Sequence, residues 1–273
     1  MSNFKYKNNK ITTAVLLAAG IGSRLQPLTN NMPKCLTEVS GTSILERLTH
    51  CLCYHGFKRL IVVVGHMDNC IRRFLGNSIN GLTIDYIVNP QYETTNNIYS
   101  LWLAREAIQE AFLLIESDII FDASLLEDML YPDCIAVSHI LPWMNGTTAT
   151  ISRSQHVLKL NIGHREIPDI FAYKTVNIYS FSLLSWRLVE EQLEQHISAG
   201  LVNDYYEAVL AEMITDGRLS FKPVFFDARQ WYEIDTLSDL YESEMIFTGN
   251  HTRLNRQNPD EVFSNEVFHV RSD

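Results

Sequence analysis

The chain has 273 residues, of which 46% are hydrophobic and 20% charged, and this composition excludes a largely disordered protein. It has 22 Lys and Arg against 32 Asp and Glu, a formal net charge of −10, which argues against the extended phosphate contacts of a nucleic-acid-binding protein. It has neither a membrane-length apolar run nor a start in signal-peptide order, so we expect no membrane contact and a cytoplasmic location. Five cysteines without a CxxC pair are predicted to be reduced structural thiols.

The first half of the chain alternates apolar strands with helices. Strands are predicted at residues 12–19, 60–65, 82–89 and 112–115, and helices at 43–57, 66–75 and 97–108. Ser43 is a plausible N-cap for the first helix, with Glu46 three residues later. Strands and helices joined by short connections predict βαβ units and a parallel sheet.

The second half is richer in strands. They are predicted at 135–139, 147–152, 157–161, 173–181 and 220–226, and helices at 184–199, 203–215 and 237–247. Asn203 is the expected N-cap of the middle helix. The predicted fold class is therefore α/β, a Rossmann-like, doubly wound, mostly parallel mixed sheet with a β-rich second half. Residues 1–247 are predicted to form one domain, and the polar tail at 248–273 is a tether, an exchanged arm or disorder.

A glycine-rich segment follows the first predicted strand. Gly20-Ile21-Gly22 lets the backbone approach a phosphate group, although a tight turn without a ligand fits the glycines equally well. A dinucleotide fold would carry a third glycine where Leu25 stands and an acidic residue after the second strand, which ends in Gly65-His66. No Walker A sequence is present. The glycines alone leave phosphate binding and a plain turn open.

The continuation of this segment favours phosphate binding. Arg24 and Lys34 stand ten residues apart, and two cations in one loop suit a polyphosphate. The sequence LAAGIGSRL at 17–25, with Pro27-Leu28-Thr29 and Pro33-Lys34, resembles the signature of the sugar-phosphate nucleotidyltransferase superfamily, whose members activate phosphorylated small molecules with a nucleoside triphosphate. The resemblance extends over about residues 12 to 247. It implies a nucleotide-binding half at 12–130 and an acceptor and metal half at 131–247.

A second stretch distinguishes branches of that superfamily. Hexose 1-phosphate enzymes usually carry Pro-x-Gly-Thr-Ala, which is missing from residues 89–101. The run Asn96-Asn97-Ile98-Tyr99-Ser100-Leu101 instead looks like the cytidylyltransferases that act on phosphocholine and on phosphonates such as 2-aminoethylphosphonate. This resemblance implies a cytidylyltransferase.

Two aspartates are candidates for binding a metal ion. Asp118 follows a buried strand, where open α/β sheets bind ligands, and Asp235 precedes a helix. By spacing alone, a turn residue and an N-cap are the favoured interpretations. The resemblance implies instead that both aspartates hold a catalytic Mg²⁺, which prefers carboxylate and phosphate oxygens.

The resemblance also implies roles for other residues. The candidate catalytic residues are Lys34, Arg24, Asp118 and Asp235. The candidate nucleotide-binding residues are Leu17, Ala18, Ala19, Gly20, Gly22, Ser23, Asn96, Asn97 and Ser100. The candidate acceptor-binding residues are Tyr99, Lys174, Asp204, Tyr206, Glu207, Tyr232 and Glu233. For Lys174 a solvated edge-strand position stays open, and for Asp204, Tyr206 and Glu207 helix capping and packing stay open.

The expected reaction joins CTP to a small phosphonate or phosphate acceptor and releases pyrophosphate. Carboxylates beside aromatic residues at 205–207 and 231–233 favour a primary amine on the acceptor, so we expect 2-aminoethylphosphonate ahead of phosphocholine. The alternatives are a sugar-1-phosphate uridylyl- or thymidylyltransferase and a non-catalytic nucleotide-binding regulatory module. Neither a nucleic acid nor a membrane is an expected partner, and a homodimer is left open.

Overall fold

The computed structural model describes residues 10–142, 144–163, 172–227 and 230–247. The predicted tail at 248–273 lies outside the described residues. No helix within the described ranges is long and apolar enough to cross a membrane.

The strands and α-helices are labelled in chain order. The strands are β1 (Thr13–Ala18), β2 (Glu38–Val39), β3 (Thr42–Ser43), β4 (Arg59–Val64), β5 (Ser78–Ile79), β6 (Leu82–Val88), β7 (Phe112–Glu116), β8 (Ile119–Phe121), β9 (Cys134–Ser138), β10 (Thr148–Ile151), β11 (Val157–Asn161), β12 (Ala172–Phe181), β13 (Lys222–Phe226) and β14 (Trp231–Glu233). The helices are α1 (Ile44–Tyr54), α2 (Asp68–Leu75), α3 (Asn97–Leu103), α4 (Leu183–Ser198), α5 (Tyr206–Thr215) and α6 (Leu237–Phe247).

A mixed sheet with a parallel centre organises the fold. β6, β4, β1 and β7 lie side by side in that order and run parallel. β12 is antiparallel to β7, and β10 and β11 extend the sheet beyond it in antiparallel fashion. β9 pairs antiparallel with β12 and parallel with β13. The predicted fold class is confirmed.

Helices cover both faces of this sheet. β1 is buried along its whole length, as expected for a central parallel strand covered on both sides. On one face, Leu16 shares a buried cluster with Leu48 of α1 and Ile71 of α2. On the other, Leu17 shares a cluster with Ile98 of α3 and with residues of α4 and α5. The sheet is therefore doubly wound.

The ends of two helices differ from the prediction. α3 ends at Leu103 and continues as one 3₁₀ turn. The prediction that α5 begins at Asn203 is wrong, because the helix begins at Tyr206 and Tyr205 provides no side-chain cap. The Asn97 side chain of α3 supplies the cap instead, since its Oδ1 accepts a hydrogen bond from the Tyr206 backbone N–H at 3.0 Å. Because this cap comes from a distant helix, the residues just before α5 do not show where the helix begins.

Candidate active site

A cleft of about 270 Å³ opens at the carboxyl ends of β1 and β7, the position where open α/β sheets bind ligands. Of the residues proposed from the sequence, twelve line it: Leu17, Ala19, Gly20, Gly22, Ser23, Arg24, Lys34, Asn96, Asn97, Ser100, Asp118 and Asp235. Residues separated by more than 200 positions in the chain therefore face one space. All four candidate catalytic residues are among them.

The glycine-rich loop holds Lys34 at one wall of this cleft. Gly22 has φ +68°, a left-handed conformation that a residue with a Cβ rarely adopts. A Cβ at this position would lie 3.0 Å from the Lys34 Cβ. The Thr29 hydroxyl donates a hydrogen bond to the Gly22 carbonyl at 2.9 Å and fixes the fold of the loop. Glycine at position 22 therefore lets the loop close onto the lysine.

Two short strands bring the aspartates together. β8 begins directly after Asp118 and pairs antiparallel with β14, which ends two residues before Asp235. The Ile234 backbone N–H donates to the Asp118 carbonyl at 2.8 Å. Asp235 does not cap α6, because Thr236 and Asp239 exchange the capping hydrogen bonds. Its carboxylate is thus available to the cleft.

Lys34 links the two aspartates. Its Nζ lies 2.8 Å from Asp118 Oδ2 and 2.6 Å from Asp235 Oδ1. Burial by itself would lower the pKa of Lys34, but the two carboxylates outweigh burial and raise the pKa above its ordinary value, so the lysine stays protonated. Arg24 adds a contact of 2.8 Å to Asp235 Oδ1 while 66% of its side chain is exposed. Both cations are positioned beside the aspartates and the open cleft.

The two aspartates have the chemistry of a Mg²⁺ site. Carboxylate oxygens from both lie within 2.8 Å of one point, the lysine Nζ. Asp118 Oδ1 is buried without a hydrogen-bond partner among the described residues. Those residues include no cluster of three or more Asp, Glu, His or Cys suited to a metal. Mg²⁺ commonly binds one or two carboxylates and completes its shell with water and substrate phosphates, so the aspartate pair fits this ion.

Amide side chains form the opposite wall. Asn96 caps α3, with its Oδ1 accepting from the Asn97 backbone N–H at 2.8 Å. Asn89 Nδ2 donates to Ser100 Oγ at 3.1 Å. Asn97 Nδ2 donates to Glu116 Oε1 at 3.0 Å. The asparagines thus tie the loop before α3 to the end of β7.

Buried carboxylates surround this part of the cleft. Burial and the neighbouring Asp118 and Glu207 raise the pKa of Glu116 well above its ordinary range. Burial raises the pKa of Glu207 to about 7, and it also raises the pKa of Glu233. Lys174 is buried beside Glu233, with Nζ at 3.4 Å from its Oε2. The region carries more acid than base.

The remaining predicted residues do not line the cleft. Ala18 is in the core with α1 and α2, and the Tyr99 ring packs against Trp102 with centroids 5.2 Å apart. Tyr232 packs in a separate cluster with Leu25 and Phe247. The other five are Lys174, Asp204, Tyr206, Glu207 and Glu233.

All of these residues except Ala18 are predicted acceptor-binding residues, seven in total, and most of them are buried. Asp204 is half-buried. Lys174, Tyr206 and Glu207 are buried, and Glu233 is largely so. None of them lines the cleft, and their roles in acceptor binding stay predictions.

Several residues that line the cleft were not assigned to the site from the sequence: Asn89, Tyr92, Thr95, Glu116, Ser117 and Tyr205. Asn89, Tyr92 and Thr95 belong to the stretch at 89–101 that carries the branch resemblance. Glu116 ends β7 two residues before Asp118. Its position at the end of a buried strand is the sequence feature that could have placed it at the site.

Comparison with known proteins relates the first half of the chain to a known family. Residues 13–131 match the family model described as Nucleotidyl transferase. These residues therefore correspond to a nucleotidyl transferase domain. The matched range contains the glycine-rich loop, Lys34 and Asp118, and it confirms the superfamily resemblance found in the sequence.

Two curated relatives align with most of this chain. A CMP-5'-(3-aminopropyl)phosphonate synthase of Streptomyces rubellomurinus is 30% identical over 246 residues, covering 86% of this chain and 38% of that protein. A 2-aminoethylphosphonate cytidylyltransferase of Lancefieldella rimae is 25% identical over 243 residues, covering 88% of this chain and 95% of that protein. The chain thus spans well under half of the first relative and nearly all of the second.

A solved structure supports the fold. The structure of the CTP:phosphocholine cytidylyltransferase from Streptococcus pneumoniae superposes with a TM-score of 0.75 at 20% identity, covering 87% of this chain and 99% of that chain. At this identity the similarity shows a shared fold. The Rossmann-like nucleotidyltransferase architecture is confirmed.

Proposed function

We propose that this nucleotidyltransferase transfers CMP from CTP to a small phosphonate or phosphate acceptor and releases pyrophosphate, with Mg²⁺ as its cofactor. The observation that carries the proposal is the group formed by Lys34, Asp118 and Asp235 beside the glycine-rich loop. It combines a positioned cation with a carboxylate pair, at the place where a triphosphate can reach backbone amides. That combination suits phosphoryl-group chemistry without a protein nucleophile.

The residues of the chain support an in-line displacement. The acceptor oxygen is an anion and attacks the α-phosphorus of CTP without a general base, while pyrophosphate leaves. Lys34 neutralises charge on the transferring phosphoryl group, and Arg24, largely exposed, binds the departing phosphates. Asp118 and Asp235 would hold Mg²⁺. When bound, this ion would withdraw charge from the phosphate oxygens.

The cytidylyl branch draws further support from the relatives. Two of them, by their names, act on aminoalkylphosphonates, and the sequence lacks the Pro-x-Gly-Thr-Ala stretch typical of the sugar enzymes. We therefore favour an aminoalkylphosphonate acceptor and place a sugar-1-phosphate second. The presence of both aspartates and the lysine in one cleft favours an enzyme over a regulatory module that only binds nucleotide.

A matrix of nucleotides and acceptors tests this proposal. Pyrophosphate release is measured with Mg²⁺ for CTP, UTP, ATP and dTTP, each with 2-aminoethylphosphonate, phosphocholine, hydroxymethylphosphonate and glucose 1-phosphate. We expect the highest kcat/KM for CTP with 2-aminoethylphosphonate. A maximum for UTP or dTTP with glucose 1-phosphate would contradict the cytidylyl branch. Nucleotide binding without pyrophosphate release would contradict the proposal that the protein is an enzyme.

A further inference from the structure

The protein interior beside the cleft contains an imbalance of charge. Three glutamates, Glu116, Glu207 and Glu233, come together there. The ammonium groups near them are those of Lys174 and of Lys34, and Lys34 is already paired with Asp118 and Asp235. Lys174 is committed to Glu233 at 3.4 Å and donates to the Thr175 carbonyl at 2.6 Å. Glu207 Oε2 is buried and has no hydrogen-bond partner in the described part of the chain. Buried carboxylates are costly unless a cation or donor satisfies them.

Among these glutamates, Glu116 is the one that lines the cleft. It ends β7, so its backbone is fixed by a central strand of the sheet. Asn97 Nδ2 donates to its Oε1 at 3.0 Å. The same asparagine accepts from the Tyr206 backbone N–H with its Oδ1, so both ends of its amide are used and its orientation is set. Glu116 is therefore a carboxylate held rigidly at the cleft wall.

We propose that Glu116 determines acceptor specificity by binding a primary ammonium group of the acceptor, an inference that rests on the proposed function. The ligand's ammonium supplies positive charge that the buried cluster lacks. A primary ammonium has three N–H donors and needs acceptor oxygens, whereas a quaternary ammonium has none and relies on aromatic faces. A carboxylate at the wall therefore favours aminoalkyl acceptors over choline-type ones.

The position of Glu116 also limits the length of the acceptor. It lies two positions before Asp118, which corresponds to roughly 7 Å along an extended chain. A phosphonate oxygen beside Asp118 and an ammonium beside Glu116 are bridged by a linker of two or three carbons. Longer linkers would have to fold back within the cleft.

Paired ligands test this inference directly. 2-Aminoethylphosphonate is compared with n-propylphosphonate, in which a methyl group replaces the ammonium, and with 2-(trimethylammonio)ethylphosphonate. Binding is measured by calorimetry with Mg²⁺ and a non-hydrolysable CTP analogue, and kcat/KM is measured with CTP. In the wild-type chain the primary amine should bind at least about tenfold more tightly than either analogue, as expected for a hydrogen bond to a charged group.

Substitutions at Glu116 test whether this residue causes the preference for the primary amine. Glu116→Gln should weaken the binding of 2-aminoethylphosphonate by about tenfold or more. The affinity for n-propylphosphonate should stay within about twofold of the wild-type value. Glu116→Asp keeps the charge and should retain a reduced preference for the amine. Glu127→Gln removes an exposed carboxylate outside the cleft and should leave the affinity for both ligands unchanged. Thermal unfolding of each variant checks that it is folded.

The outcomes separate this inference from the proposed function. Equal binding of the amine and n-propylphosphonate by the wild-type chain would overturn the inference, and this comparison needs no variant. A preference that survives in Glu116→Gln would assign the ammonium to another residue and would also overturn it. Transfer of CMP without any preference for the amine would keep the proposed function. Preferential amine binding through Glu116 without CMP transfer would keep the inference and reject the function.

Discussion

At the scale of single residues, the lysine between two aspartates governs the site. Asp118 and Asp235 would repel each other if Lys34 did not lie within 2.8 Å of both. The same two carboxylates are the proposed ligands of Mg²⁺. We therefore expect the lysine and the metal ion to share the aspartates and to neutralise a bound triphosphate together.

Replacing either aspartate tests the proposed metal site. Asp118→Asn and Asp235→Asn are nearly isosteric, but each removes an anionic ligand, so we expect Mg²⁺-dependent turnover to be abolished while the fold is kept. Pyrophosphate release at saturating Mg²⁺ measures the first effect, and circular dichroism measures the second. Near-wild-type kcat in either variant would show that its carboxylate does not hold the metal.

Replacing the lysine separates transition-state stabilisation from substrate binding. Lys34→Ala should lower kcat by about 10²-fold or more, the usual cost of removing one positioned charge stabiliser. Arg24→Ala is the matched comparison, because Arg24 is largely exposed and should affect the KM for CTP as well. A Lys34→Ala protein with raised KM and unchanged kcat would limit the lysine to ground-state binding.

Glu207 links stability to pH. Its pKa is raised to about 7 by burial, so above its ordinary pKa of 4.5 the unfolded chain ionises more readily than the folded one. Stability is therefore lost as the pH rises from about 4.5 to 7. Glu207→Gln should be more stable than wild type at pH 8, by an amount on the order of 1 to 3 kcal/mol, and this difference should fall to about a quarter of that value at pH 5.

Denaturant titrations at the two pH values measure this difference. Glu127→Gln serves as the control, because Glu127 is exposed and its replacement should have the same small effect at both pH values. Equal free energies of unfolding for wild type and Glu207→Gln at pH 8 would show that the buried carboxylate carries no cost.

At the scale of elements, an irregular strand supports the glutamates. The register of β12 against β9 shifts between Thr175 and Tyr179. Over this stretch, β12 advances by four residues while β9 advances by two. Asn177 lies in this bulge with φ +57°. Its Nδ2 donates to Glu233 Oε1 at 3.2 Å, and its Oδ1 accepts from the Thr175 hydroxyl at 3.1 Å. Bulges of this kind redirect side chains near functional sites.

Two substitutions at this position separate backbone strain from lost hydrogen bonds. Asn177→Val places a β-branched residue at positive φ and should lower the free energy of unfolding by about 1 to 3 kcal/mol more than Asn177→Gly. Asn177→Gly loses the same hydrogen bonds without the strain. Thermal and denaturant unfolding measure both variants. Equal stabilities would mean that the left-handed backbone at Asn177 is not required.

The sequence predicted the long elements well and the short ones poorly. Buried apolar runs identify β1 and β4, and Ser43 with Glu46 marks the start of α1, where the Glu46 N–H donates to the Ser43 hydroxyl at 3.2 Å. β8 and β14 have three residues each, too few for a hydrophobic period to be seen. These two strands bring the aspartates together, so the convergence at the site is a tertiary effect.

At the scale of the whole molecule, the site is assembled from distant parts of the chain. The glycine-rich loop and the candidate catalytic residues were found because they carry a family signature. Glu207 and Glu233 were among the predicted acceptor-binding residues, but Glu116 and the grouping of the three acids were not predicted, because residues from β7, α5 and β14 share no spacing. Only the β8–β14 pair and the packing of α5 against the sheet bring them together.

The net charge of −10 affects how the cleft can bind an anionic nucleotide. A chain with excess acid repels anions at long range, so a triphosphate must be held by local groups, which here are the loop amides with Arg24 and Lys34. The predicted single domain at 1–247, the role of the tail at 248–273 and a homodimer stay predictions.

The most direct measurement is ³¹P NMR of the full chain incubated with CTP, Mg²⁺ and 2-aminoethylphosphonate. We expect the phosphonate signal to be replaced by a coupled pair from a mixed phosphonate–phosphate anhydride, with one pyrophosphate formed for each product. The same mixture with Asp118→Asn should show the starting signals unchanged. A wild-type spectrum without the coupled pair, alongside an anhydride formed with glucose 1-phosphate, would contradict the assignment.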